Sequence, residues 1–191
     1  MARLTVGDQV RTIVRSLVLL VGLGTLCAWP LAGQGLPRPG DMLRLEVAGY
    51  SGRVPLDSVA IPFEVAAPRG ATFHAAAELL VELGITPALR DSVRGAVGIA
   101  NVVIRRKFAK ESISRFLDCG LGIMGANADN WRMHITAFAF AVADGPDRST
   151  LKVTILGAGR DVAGTYSEEL VCASTGAFER MVAERVRRRL Q

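Results

Sequence analysis

A chain of 191 residues, half of them hydrophobic, is long enough for one domain with a full core and leaves little room for a second. Its formal net charge of +5 is a mild excess, which argues against a dedicated nucleic-acid binder. Three cysteines and two histidines cannot assemble a convincing zinc set once two cysteines pair, and no other cofactor signature is present.

The chain opens "MARLTVGDQVRTIVRSLVLLVGLGTLCAWPLAGQG". Arg3, Arg11 and Arg15 supply a basic start, Leu17 to Ala28 is apolar or small throughout, and Trp29-Pro30 breaks the run ahead of Ala32 and Gly33. Basic start, short apolar core and small-residue exit are the layout of a secretory signal, here residues 1–33. The run is short of the roughly 20 residues a membrane span needs. An uncleaved N-terminal anchor is the alternative, weakened by Pro30 and the nearby glycines. Lipid attachment at Cys27 is disfavoured because Leu26 is not small. No second apolar run is long enough to cross a bilayer, so the expected product is a secreted or periplasmic chain. Residues 1–33 hold three arginines and one aspartate, so cleavage leaves twenty basic and seventeen acidic residues and a charge of +3.

Residues 34–58 begin with "GQGLPRPGD" and read as a flexible leader, with "MLRLEVAGY" as a strand candidate. The single folded domain is expected over 59–191. Ile61, Phe63 and Val65 alternate with Pro62 and Glu64, which predicts an edge strand over 61–66. "ATFHAAAELLVELGI" predicts a helix capped by Thr72, with Phe73, Ala76, Ala77, Leu80 and Leu83 on its buried stripe and Gly84 at its end. "TPALRDSVRGAVGIA" reads as a connection. "NVVIRRKF" predicts a strand with Val102, Ile104, Arg106 and Phe108 on one side, and "SISRFLDCG" another that places Ile113, Leu117 and Cys119 together.

"GLGIMGANADN" lacks the Gly-Lys-Ser/Thr end of a phosphate loop and reads as a mobile loop, the natural rim of a ligand site. "WRMHITAFAFAV" is the strongest strand signal: Trp131, Met133, Ile135, Ala137 and Ala139 share one face, His134, Thr136, Phe138 and Phe140 the other. After the turn "DGPDRS", "TLKVTILGAG" turns Leu151, Val153 and Ile155 inward, and the two strands form an antiparallel hairpin. "STGAFERMVAERVRRRLQ" predicts the last helix, capped by Ser174 or Thr175, with a stripe of Phe178, Met181, Val182, Val186 and Leu190. Together these elements predict an α+β fold: a two-layer arrangement of an antiparallel sheet with two helices packed on one face.

The chemistry-bearing residues are few. With the signal removed, Cys119 and Cys172 remain in an oxidising compartment, and a disulfide between them is the expected state. The competing reading is a thiol hydrolase in which Cys172, just ahead of a helix start, is the nucleophile and His134 or His74 the base. Asp118 and Asp129 read as turn or cap residues. Two basic clusters, Arg105, Arg106 and Lys107, and Arg185, Arg188 and Arg189, are either solvated faces or contacts to an anionic envelope lipid or polymer.

"FEVAAPRGATFHAAAELLVELGI" and "GAFERMVAERVRRRL" give the stretch 60–191 a pattern that resembles the helix-grip class of small bacterial envelope domains, one set of which occurs in a lipoprotein of the outer-membrane assembly machinery. That resemblance implies a helix-grip-like fold. "SRFLDCG", "ADNWRMHI" and "CASTGAFE" resemble a group of secreted bacterial proteins of unassigned function. "RPGDMLRLEV" is similar to the opening of polysaccharide-export proteins, but the residues after it depart from that pattern. Neither class supplies catalytic residues. The expected function is non-catalytic binding of an envelope protein or a small apolar ligand; a secreted cysteine hydrolase and an envelope assembly scaffold are the alternatives.

Overall fold

The computed structural model describes residues 44–46, 53–161 and 169–191. The expected signal at 1–33 and most of the leader lie outside these residues. The compact unit that contains the described residues runs from Pro37 to Gln191.

The centre of the fold is the hairpin read from the sequence. β11 (Arg132–Ala143) and β12 (Ser149–Arg160) pair over their full length, from Arg132↔Arg160 to Ala143↔Ser149. Further strands extend this ladder on both sides: β4 (Leu89–Asp91) and β5 (Ala96–Ile104) beyond β11, and β13 (Leu170–Ser174) and β8 (Leu117–Asp118) beyond β12. β3 (Ile61–Val65) pairs antiparallel with the first half of β12, as an edge strand that accommodates Pro62. β1 (Arg44–Glu46) and β2 (Arg53–Pro55) form a separate two-stranded ribbon.

Period-two alternation sends Met133, Ile135, Ala137, Ala139 and Ala141 of β11 to one face, where they meet Leu151, Val153 and Ile155 of β12. Two helices cover that face, α1 (Arg69–Glu82) and, at the end of the chain, α3 (Ala177–Arg189). The α+β class and the two helices on one face of an antiparallel sheet therefore hold. The opposite face carries a smaller cluster, in which Phe138 and Phe140 stack at 5.8 Å and pack with Leu56, Leu89 and Ala96.

Several local expectations are corrected. α1 begins at Arg69, with Pro68 ahead of it, and Thr72 is not its cap. Thr72 is buried, and its hydroxyl is 2.7 Å from that of Ser149, which donates to Ala67 O. Gly84 does end the helix, at φ +78°: its N–H bonds to Val81 O and that of Ile85 to Leu80 O, closing the last turn. The connection at 86–100 contains β4 and the first half of β5. Its run Ala96-Val97-Gly98-Ile99-Ala100 alternates too little to read as a strand, yet a Cβ at Gly98 would collide with Ala137 O, so close strand packing requires glycine there.

The strand expected over 101–108 breaks in two. Asn101 (φ +52°) sits in an irregularity opposite Thr136, and Arg106 (φ +65°) turns the chain, so Phe108 lies in a separate strand and shares no face with Ile104. Ile113 to Arg115 is a 3-10 turn, which reduces the strand expected near Cys119 to β8.

Candidate functional site

The half-buried Cys119 and the buried Cys172 are joined by a disulfide, with Cα atoms 4.5 Å apart. The bond continues the β8–β13 ladder, in which Asp118 faces Ala173 and Leu117 faces Ser174. Thiol chemistry at Cys172 would also lack its base. Cys172 faces Gly157, which faces Ile135, so its side chain is on the helix-covered side. His134 is the next residue along and points the other way, where Nδ1 lies 2.9 Å from Asn101 Oδ1 and Nε2 3.4 Å from Glu169. His74 is exposed, edge-on to the Phe73 ring. The structure does not bring the proposed nucleophile and base together.

The two aspartates are structural. Asp118 Oδ1 accepts the Gly120 N–H at 2.8 Å, a local turn. Asp129 accepts from both the backbone N–H and the hydroxyl of Ser114, at 3.0 and 2.6 Å. One carboxylate is buried. Glu179, in the first turn of α3, accepts from Ser174 Oγ at 2.7 Å, and that hydroxyl in turn accepts the Gly176 N–H. No group of three or more His, Cys, Asp or Glu side chains among the described residues could hold a metal ion.

The basic clusters differ in character. Arg189 is engaged within the protein: its guanidinium bridges Glu78 and Glu82 of α1. Its hydrogen bond to Glu82 holds that carboxyl below the ordinary carboxylate range, with Lys110 and Arg185 adding to the effect through space. Arg185 and Arg188 are exposed on the outer side of α3. Arg105, Arg106 and Lys107 are exposed and form no ion pair among the described residues.

These last three lead into a tight hairpin, β6 (Lys107–Phe108) and β7 (Glu111–Ser112). Its two-residue turn is Ala109-Lys110, with φ +49° and +69°, where glycine or asparagine is the usual choice. Together with Arg106, three non-glycine residues are held left-handed, at a cost of order 1–3 kcal/mol each. Surrounding contacts impose that shape. Phe108 is pinned between Phe116 and Phe178, with ring centres 6.2 and 5.4 Å away, and Ile113 N–H bonds back to Arg106 O.

Next to it stands a second hairpin, β9 (Leu121–Gly122) and β10 (Gly125–Ala126), followed by the short helix α2 (Asn127–Asn130). The loop expected at "GLGIMGANADN" is thus folded. Asn127 bonds to Cys119 O and Gly120 O, Asn130 bonds to Met124 O and Ala126 O, and Asp129 ties the unit to the 3-10 turn after β7. At the tip, Leu121, Ile123 and Met124 are 85, 104 and 84% exposed.

Register places the stretch that enters the first hairpin and the helix that leaves the second at one end of the sheet. Ile104, the residue before the basic cluster, faces Met133, and α2 runs through Trp131 into Arg132, which faces Arg160. A cavity of about 320 Å³ lies elsewhere, between β3, the β11–β12 turn and the end of α3, lined by Glu64, Asp144, Arg148 and Arg187 among others. No helix among the described residues is long and apolar enough to cross a membrane.

No family model, no characterised protein and no solved structure matches this chain.

Proposed function

We propose that the chain is an exported, non-catalytic binding domain for a component of the bacterial envelope, and that the two-hairpin end of its sheet is the binding surface. One observation carries this reading: three large apolar side chains stand fully exposed on a backbone fixed by a disulfide at its base and by asparagine hydrogen bonds at its tip. A rigid, exposed apolar feature that contributes nothing to the core is the mark of an interaction site. Export is supported by the layout of residues 1–33 and by the cystine, which persists in oxidising compartments. The α+β layout fits the resemblance to helix-grip envelope domains, which informs fold more than function. A small apolar ligand between sheet and helices is less well supported, because Phe73, Leu80, Phe178 and Val182 already fill that space with Ile135 and Val153.

The test uses protein purified from the export compartment and isolated bacterial envelopes. The protein should sediment with the envelopes, Ile123→Asp should release it, and alkylation should find no free thiol before reduction. The reading fails if envelopes do not bind, or if the protein turns over an ester, peptide or glycoside and Cys172→Ser abolishes that turnover.

A further inference from the structure

The two hairpins differ in chemistry and are held as one unit. The β9–β10 tip offers only apolar side chains, Leu121, Ile123 and Met124. The approach to the β6–β7 hairpin offers exposed cations, Arg105, Arg106 and Lys107, and the hairpin's one acid, Glu111, is already paired by Arg115 at 2.9 Å. The bonds from Ser114 to Asp129 clamp the 3-10 turn after the first hairpin to α2, which follows the second. At the same end, Arg132 and Arg160 face each other directly across β11 and β12, a like-charge pairing that works against the fold. Left-handed strain at Arg106 and this arginine pairing thus lie at the end of the sheet from which the basic stretch and α2 emerge.

A protein partner would need only a complementary patch. A bilayer surface uses both chemistries at once: exposed apolar side chains to enter the boundary between headgroups and acyl chains, and cations to meet the phosphates. We infer that the two-hairpin end docks on an anionic lipid surface, with Leu121, Ile123 and Met124 entering the interface and Arg105, Arg106 and Lys107 meeting lipid phosphates. This rests on reading that end as the binding surface, and it names the partner. Neither hairpin contributes alone, since one apolar tip or one small basic patch gives weak, reversible attachment.

The experiment is co-sedimentation of the exported protein with protein-free vesicles of phosphatidylcholine, with and without phosphatidylglycerol. Binding should require phosphatidylglycerol and weaken as salt shortens the electrostatic range. The triple variant Arg105→Gln, Arg106→Gln, Lys107→Gln should bind about 100-fold more weakly, at about fivefold per cation. Ile123→Asp should abolish sedimentation. Val93→Asp, at an exposed turn between β4 and β5, should bind like the parent protein and controls for a general effect of charge. All of these positions are exposed, so unchanged circular dichroism is expected throughout.

Binding to phosphatidylcholine alone, or binding to anionic vesicles that survives Ile123→Asp, would overturn the inference. If vesicles fail while isolated envelopes still bind in an Ile123-dependent way, the partner is a protein or polymer and the proposed function stands without the lipid. If envelopes fail as well, both are wrong.

Discussion

Along β11 and β12, one uninterrupted ladder of twelve residue pairs carries a single alternating pattern from end to end. The stretch from Arg105 to Asn130 is of similar length. It contains five strands of two residues, one 3-10 turn and one four-residue helix. In the ladder each residue repeats what its neighbours do, so a single loss is shared. In the 105–130 stretch nearly every contact is made once: one cystine, one aspartate on one serine, one asparagine across the hairpin tip. The first region is stable by repetition and can face the helices without further support. The second is shaped by individual bonds, and it is the one that presents side chains to the outside.

The largest effect should come from the bond that ties the second region to β13, the strand beside the ladder. The cystine closes a loop of 54 residues that spans the whole β11–β12 hairpin, and the chain-entropy treatment gives it about 4 kcal/mol. Replacing both cysteines by serine should lower the urea midpoint accordingly. Hydrogen exchange should then show the amides of β8, β9 and β10 opening first while the centres of β11 and β12 stay protected. If the ladder opens together with the hairpins, the contrast between the regions is wrong and they form one cooperative unit.

A smaller effect isolates the clamp between the hairpins. Asp129→Ala removes both bonds from Ser114 and leaves a half-buried hydroxyl without its acceptor, which should cost about 2 kcal/mol. Ser114→Ala alone should cost less, and adding it to Asp129→Ala should cost almost nothing more, because the two residues act on one contact. Additive losses would mean that each stabilises something else.

The same contrast explains what could be read in advance. Ile135, Val153, Phe178 and Val182 lie where periodicity put them, because a core face must repeat with the strand or helix that carries it. The cystine was legible from cysteine number and the signal-like layout of residues 1–33. The 105–130 segment was not. Arg106, Ala109 and Lys110 adopt left-handed backbone that their side chains do not announce, and the bonds of Asn127 and Asn130 depend on loop geometry that exists only once the chain is folded. Trp131 and Met133 predicted the strand after it, but nothing short of the structure showed that "GLGIMGANADN" would be a pinned hairpin with its apolar residues outward. Of the two basic clusters, one forms no ion pair among the described residues and the other gives Arg189 to the helix pair.

That last difference can be measured, and it is the smallest effect. Glu82 and Arg189 are both near the surface, so their bridge should matter little in total and show itself mainly through pH. The hydrogen bond from Arg189 holds the Glu82 carboxyl below its ordinary value. A lowered folded-state value means the folded protein holds the carboxylate more readily than the unfolded chain does. The stabilisation is therefore complete above the unfolded value and is lost as pH falls through the folded one. Asp91 is lowered too, by the backbone and side chain of Arg94, and contributes an acid limb of the same sign. The difference between parent and Arg189→Met separates them, since methionine keeps an apolar stem across α1 and leaves Asp91 untouched. Melting temperatures of the two proteins should lie furthest apart at neutral pH and converge as the pH drops below the ordinary carboxylate range. Curves that stay parallel down to low pH would show that Arg189 stabilises the helix pair by packing, and that this cluster, like the first, has cations to spare.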